Sequence, residues 1–215
     1  MMQGTHTTAA PATNGSAAAR SGIAPGWRRA AGGALLLAAL GIATVQAAPD
    51  AGLTIEYYDV QGTTLEQLRE SLRTLGPVDD DGERHHGQVR WNLQWRYNYS
   101  TDRGGCRLTG FTVQRSTTMQ LPRWVDVDRV SPALRSDWER YSRALRLHED
   151  GHVETGALAA AEIERRTAAV KRSPTCAALT ATLDEIGKAV IQEFKARDVE
   201  YDATTGHGAT QDAQI

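Results

Sequence analysis

Apolar and polar residues alternate over residues 89–99, and this is the clearest strand pattern in the chain. A period of two predicts a half-buried antiparallel strand with one face towards the core. A β-branched and aromatic run over Leu53–Val60 predicts an earlier strand, and residues 106–121 supply one or two later ones. The apolar face of the central strand comprises Val89, Trp91, Leu93, Trp95, Tyr97 and Tyr99.

A helical period replaces this alternation after Ser131 and Pro132, which fit the N-cap and the first position of a helix. Apolar positions then recur at spacings of three and four as far as about Lys171, which indicates the buried stripe of an amphipathic helix. A helix of that length without internal caps predicts a kink near residues 151–156. The stripe comprises Leu134, Trp138, Tyr141, Leu145, His148, His152, Gly156, Ala159 and Ile163.

Two further helices complete the predicted architecture. Thr63 or Thr64 caps a short helix that follows the first strand. A second long helix begins at residues 173–174 and runs to about Val199, so the back half of the chain is a helical hairpin. We therefore predict an α+β fold for residues 49–215 as a single domain, with a small antiparallel sheet packed on two long helices.

The first 48 residues have the composition of a disordered leader followed by a signal peptide. Arg28 and Arg29 precede the uncharged run of residues 30–48, which ends in small residues that fit a cleavage site. We therefore expect export to the periplasm or the exterior. The alternative is that the run of residues 30–48 stays uncleaved and anchors the protein, which is the only membrane contact that we predict.

Charge and cysteine content narrow the possible partners. The formal net charge of −2 over 215 residues leaves no dominant basic field, so nucleic acid is not an expected partner. The sequence predicts no particular oligomeric state. Export would place Cys106 and Cys176 in an oxidising compartment, where we expect them to form a disulfide. The alternative is that one of them binds a metal.

The candidate chemistry lies inside the long predicted helix, where His148, Glu149 and His152 form an H-E-x-x-H motif. Residues four apart share one face of a helix, so both imidazoles can bind one zinc ion. Glu149 is then placed to act as general base on the attacking water. The motif predicts a zinc metallopeptidase with a zincin-like active-site helix, and the alternative is a pair of core histidines hydrogen-bonded to the backbone.

A catalytic zinc ion needs a third protein ligand. We rank His207 first, because it stands between two glycines in a polar tail that a metal could order. Asp202 is second, as a ligand or as the carboxylate that orients a zinc histidine, and Glu193 is third. The alternative for the tail is that it is simply frayed.

Other polar residues have weaker assignments. Tyr201 is a candidate donor of a hydrogen bond to the developing oxyanion. His85 and His86 are interpreted as a loop pair at the mouth of the cleft, and the alternative is that they bind metal. Gly151 costs about 1 kcal/mol in a helix relative to alanine, and we expect it to admit the close approach of another backbone or of substrate.

A set of residues spread over nearly all of residues 49–215 matches a known pattern. The set comprises Tyr57, Tyr58, Asp59, Val60, Gly62, Gly76, Pro77, Trp91, Trp95, Cys106, residues 121–124, Trp138, the H-E-x-x-H motif, Tyr201, Asp202, His207 and Gly208. In these residues the chain resembles the predicted secreted zinc-dependent proteases of bacteria, long classified as a domain of unknown function. The resemblance implies zinc ligands at His148, His152 and His207 and a base at Glu149.

The leading functional hypothesis is a zinc endopeptidase that acts on a peptide or protein substrate outside the cytoplasm. A strand of the small sheet would hold an extended peptide by main-chain pairing. One alternative is a non-catalytic exported domain that binds zinc. The other is a zinc amidase that acts on cell-wall peptides.

Overall fold

The computed structural model describes residues 7–8, 52–80 and 82–215, which belong to one compact unit. Apart from residues 7–8, the predicted leader, its cleavage site and the anchor alternative lie outside the described residues. No helix in the described part of the chain combines the length and apolarity needed to cross a membrane. The elements are β1 (Thr7–Thr8), β2 (Leu53–Val60), α1 (Leu65–Leu75), β3 (Gln88–Asp102), β4 (Gly105–Trp124), α2 (Pro132–Thr167), β5 (Arg172–Ser173) and α3 (Cys176–Thr205), with 3₁₀ turns at Val127–Arg129 and Ala209–Gln211.

The predicted α+β class is confirmed, but the sheet is mixed rather than antiparallel. Its order is β1-β3-β4-β2, with β5 paired to β4. Strands β3 and β4 form a long antiparallel hairpin, whereas β2 runs parallel to β4. Strand β4 lies between β2 and β3 in the sheet. Both β2 and β4 run antiparallel to β3, so β2 and β4 are parallel to each other.

The strand patterns translate directly into burial. Trp91, Leu93, Trp95 and Tyr97 on the predicted apolar face of β3 are all buried. The region predicted to hold one or two strands is a single strand of 20 residues, β4. Thr64 is the cap of α1, and its side chain forms a capping box with Gln67.

Helix α2 carries the predicted buried stripe in full, apart from the half-buried Leu134. Its N-cap is Ser131, whose hydroxyl accepts from the backbone N–H of Leu134. The helix continues without interruption through residues 151–156, where the pattern predicts a kink. Gly151 and Gly156 serve packing instead, because a Cβ atom at either position would lie within 3 Å of a ring atom of Tyr201 or Trp91.

Helix α3 is displaced along the chain relative to its prediction. It begins at Cys176 with Thr175 as N-cap and ends at Thr205, before a left-handed Gly206. The polar residues expected in a tail, Asp202 among them, are therefore in its last turns. The predicted Cys106–Cys176 disulfide is confirmed and ties the start of β4 to the start of α3.

The last ten residues, 206–215, form a docked segment rather than a frayed end, and we call it the C-terminal segment. Arg140 on α2 donates hydrogen bonds of 2.9 Å to the carbonyl oxygens of Asp212 and Gln214. Ala213 is 8% exposed and belongs to the core around α1 and the first half of α2. The segment therefore closes over the middle of α2, where the H-E-x-x-H motif lies.

Candidate metal site

Both histidines of the motif lie on the buried face of α2 and point the same ring nitrogen at one carboxylate. His148 is 3% and His152 is 9% exposed. The Nε2 atom of each lies 3.1 Å from Oδ1 of Asp202 on α3. These three atoms are all within 4.8 Å of one another, so they form a group that could hold a metal ion.

The second nitrogen of each imidazole also has a partner. Nδ1 of His152 lies 3.0 Å from Oδ1 of Asp198, whose other carboxylate oxygen accepts from the indole N–H of Trp91 at 2.8 Å. Nδ1 of His148 lies 2.9 Å from Oε1 of Gln211 in the C-terminal segment. Metal-binding histidines characteristically donate this second N–H to a carboxylate or carbonyl oxygen.

The donor set fits a divalent cation. With Nδ1 protons given to Asp198 and Gln211, the Nε2 lone pairs of both imidazoles face the Asp202 oxygen, so acceptors meet acceptors. A proton or a cation between them removes that repulsion. Two imidazoles and a carboxylate also match the ligand chemistry of catalytic zinc, which takes three protein ligands and keeps one position open.

The electrostatics of the group favour positive charge at its centre. Burial by itself would lower the pKa of His152, but hydrogen bonds to Asp198 and Asp202 outweigh it and raise that pKa to about 10. Burial would likewise raise the pKa of Asp202, yet hydrogen bonds from His148 and His152 hold it well below its ordinary value. Without a metal these carboxylates favour a proton on His152 where a cation could bind, and a bound cation would displace it.

Glu149 is the buried acid of the site, with a side chain only 3% exposed. Burial raises its pKa to about 7, although the charges of His152 and His148 act in the opposite direction. Gly87, immediately before β3, lies directly against it, and a Cβ atom there would be 2.8 Å from the carboxyl carbon. A side chain at residue 87 would therefore displace the carboxyl group of Glu149 from this position.

Tyr58, Tyr141 and His86 form a hydrogen-bonded group close enough to feel the charge of Glu149. Tyr58 donates a hydrogen bond of 2.6 Å to the carbonyl oxygen of His86, and the hydroxyl of Tyr141 lies 2.9 Å from Nδ1 of the same residue. Burial, followed by the neighbouring charge of Glu149, raises the pKa of Tyr58. His86 therefore lies in a loop, as predicted, and is a hydrogen-bond partner of two tyrosines there.

Tyr201 packs against the histidine pair and hydrogen-bonds through its hydroxyl. Its ring stacks on His148 at 5.0 Å and meets His152 edge-on at 5.1 Å. Its hydroxyl donates to the backbone carbonyl of His148 at 3.3 Å and accepts from Nε2 of Gln211 at 3.0 Å. These bonds hold the hydroxyl beside the backbone of α2, and its role as an oxyanion donor stays a prediction.

Of the three ranked candidates for the third ligand, the second, Asp202, is the one that meets the histidine pair. His207 stands beside it, with Nδ1 3.6 Å from Asp202 Oδ1 and a side chain 60% exposed. It is not among the three converging atoms, so ligation by His207 stays a prediction. Glu193 forms ion pairs with Arg166 and Arg197 instead.

His85 lies near the exposed side of this group. Its ring is 5.3 Å from that of His207, and its Nε2 atom is 2.8 Å from a carboxylate oxygen of Asp79. His85 and His207 therefore form a partly exposed pair beside the buried group. His207 also has a positive φ of 52° between two left-handed glycines, which is uncommon for a non-glycine residue.

Sequence reasoning missed two residues of the site, Asp198 and Gln211. Asp198 carried a usable signal, because it lies four residues before Asp202 and so shares its helical face. Gln211 carried none, since a polar residue in a polar tail has no periodicity. Its position depends on how the C-terminal segment docks.

The fold and the site define an α+β protein whose two long helices bring together a buried His₂–carboxylate group able to hold a metal ion. The model of a family described as a bacterial protein of unknown function (DUF922) matches residues 55–208. The chain belongs to this family. The matched region includes His148, His152 and Asp202 but stops short of Gln211. Comparison with curated proteins and comparison with solved structures give no match.

Proposed function

We propose that the protein is a metal-dependent hydrolase that cleaves peptide bonds, with zinc as its metal. The observation that carries the proposal is the buried Glu149 carboxyl group beside three converging ligand atoms of His148, His152 and Asp202. Acidic side chains are almost never fully buried without a partner. A role in proton transfer during catalysis would account for a carboxyl group buried next to a cation site.

The residues divide the chemistry as follows. His148, His152 and Asp202 would hold the ion. When bound, zinc activates water and polarises a carbonyl group. Glu149 accepts a proton from the attacking water as the carbon–oxygen bond forms. It then returns that proton to the amide nitrogen as the carbon–nitrogen bond breaks, which is general base and then general acid catalysis.

We propose peptide bonds as the substrate because a helix that carries an H-E-x-x-H motif is typical of metallopeptidases. We also propose that the protein acts outside the cytoplasm, in the periplasm or as a secreted protein. The Cys106–Cys176 disulfide supports this location, since such bonds persist in oxidising compartments.

The test compares the wild-type protein with two matched variants on α2. Glu149→Gln removes the buried carboxylate, and Glu154→Gln makes the same change on the exposed face of the helix. Each protein is loaded with zinc, its metal content is measured, and it is incubated with a denatured protein mixture. Mass spectrometry then counts the new N-termini.

We expect all three proteins to bind zinc and only Glu149→Gln to lose hydrolysis, by about 10²–10⁴-fold. Undiminished cleavage by Glu149→Gln would contradict the assigned role of Glu149. A zinc-loaded wild type that cleaves neither proteins nor cell-wall peptides would show a non-catalytic metal-binding domain. Cleavage of cell-wall peptides alone would identify an amidase.

A further inference from the structure

Gln211 makes a hydrogen-bonded chain with His148 that passes through Tyr201. The amide oxygen of Gln211 lies 2.9 Å from Nδ1 of His148, and its Nε2 atom donates to the hydroxyl of Tyr201 at 3.0 Å. That hydroxyl has two acceptors within reach, the carbonyl oxygen of His148 at 3.3 Å and the amide oxygen of Gln211 at 3.4 Å. The Gln211 oxygen faces the imidazole, and the Gln211 nitrogen faces Tyr201.

We propose that Gln211 is a positioning residue of the metal site, which holds His148 with its proton on Nδ1 and its Nε2 free to bind the ion. The inference rests on the metal-binding part of the proposed function. It assigns the C-terminal segment a part in the site that differs from supplying a ligand. Gln211 also lies outside the region matched by the family model.

The two histidines are oriented by chemically different partners, Asp198 for His152 and Gln211 for His148. Asp198 is a carboxylate, which can only accept, so it fixes the proton of His152 on Nδ1 without help. An amide can present either its oxygen or its nitrogen. A reversed Gln211 amide would place a donor against Nδ1, move the proton to Nε2 and block the ligand atom. In the structure the Gln211 amide nitrogen donates to the Tyr201 hydroxyl and its oxygen faces Nδ1, which is the orientation that keeps Nε2 free.

The C-terminal segment is held by contacts that do not involve the Gln211 side chain. The backbone N–H of Ala213 donates to the carbonyl of Gly208 at 3.0 Å, and Arg140 binds two carbonyl oxygens further along. Gly208 lies against His148, since a Cβ atom there would be 3.0 Å from its Cγ. Substitution at position 211 therefore leaves the segment docked and isolates the effect of the side chain.

The experiment measures zinc affinity in the full chain by competition with a chelator of known affinity. Gln211→Met keeps the length of the side chain and removes the acceptor, whereas Gln211→Glu keeps an acceptor. Gln214→Met is the matched control, because Gln214 is an exposed residue of the same segment. We expect Gln211→Met to weaken zinc binding about 10–100-fold, Gln211→Glu to stay within a few fold of wild type, and the control to be unchanged.

A second readout reports the proton itself. In zinc-loaded protein with ¹⁵N-labelled histidine, NMR should show a slowly exchanging Nδ1–H of His148 in the wild type and in Gln211→Glu, and its loss in Gln211→Met. Wild-type affinity with a retained Nδ1–H in Gln211→Met would overturn the inference. So would equal weakening by Met and Glu, which indicates packing alone. Absence of zinc binding by the wild type would overturn the proposed function and, with it, this assignment.

Discussion

Replacing Gly151 by alanine sets two opposing effects against each other at the centre of the motif. Glycine in a helix interior costs about 1 kcal/mol relative to alanine, so propensity alone predicts that Gly151→Ala stabilises the protein. The structure predicts the opposite sign. A Cβ atom at residue 151 would lie 2.5 Å from the hydroxyl oxygen of Tyr201 and 2.6 Å from its Cζ.

The contact cannot be relieved cheaply, because the ring of Tyr201 is held on several sides. It stacks on His148, meets His152 edge-on and hydrogen-bonds through its hydroxyl to Gln211. Overpacking of this kind typically costs about 1–3 kcal/mol, and loss of a hydrogen bond adds about 1 kcal/mol. After subtraction of the gain in helix propensity, about 1 kcal/mol, we expect the free energy of unfolding to fall by about 1–3 kcal/mol.

The assay is equilibrium unfolding in urea with a chelator present, so that metal binding does not enter the stability. In a Tyr201→Ala background the obstructing ring is gone, and Gly151→Ala should then raise the free energy of unfolding by up to about 1 kcal/mol. The change of sign between the two backgrounds is the diagnostic result. If Gly151→Ala stabilises the wild-type background by the full propensity term, Tyr201 does not lie against α2 as described.

Two further predictions concern stability. The 70-residue separation of Cys106 and Cys176 gives a chain-entropy contribution of about 4 kcal/mol, so Cys106→Ala/Cys176→Ala should lower the free energy of unfolding by about that amount in urea. A loss below 1 kcal/mol would contradict this. Burial, followed by the charge of His85, lowers the pKa of His86, so the unfolded chain gains a proton first as the pH falls. The stability advantage of wild type over His86→Gln should therefore shrink below about pH 6.5, whereas a pH-independent difference would show that His86 is not held neutral.

Periodicity predicted the elements that bury apolar side chains. It did not predict the end of α3, which turns polar side chains towards the histidines. The stripe on α2 and the alternating face of β3 follow from spacing alone, because hydrophobic burial repeats with the geometry of the element. The direction of β2 relative to β4 does not, since an isolated strand pattern is the same in a parallel and an antiparallel pair. The end of α3 was missed because its last turns carry polar residues that face the histidines.

The C-terminal segment shows a second kind of information that local patterns lack. Its sequence has no apolar periodicity that predicts order, yet Arg140, more than 70 residues away, binds two of its carbonyl oxygens. Backbone carbonyls are present at every residue, so their use as docking points leaves no mark on the segment itself. The residue that recognises these carbonyls is Arg140 on α2, and its partners could not be inferred without the fold.

The meeting of the two motif histidines with two aspartates of α3 could have been predicted from the sequence. His148 and His152 are four apart on α2, and Asp198 and Asp202 are four apart on α3. Helices joined by a short connection pack antiparallel, so two pairs of equal spacing on facing surfaces can meet side by side. Asp202 then meets Nε2 of both histidines, and Asp198 meets Nδ1 of His152. A buried histidine pair needs polar partners on the neighbouring element, and the matching i, i+4 carboxylates are the pattern to search for before any residue of a tail.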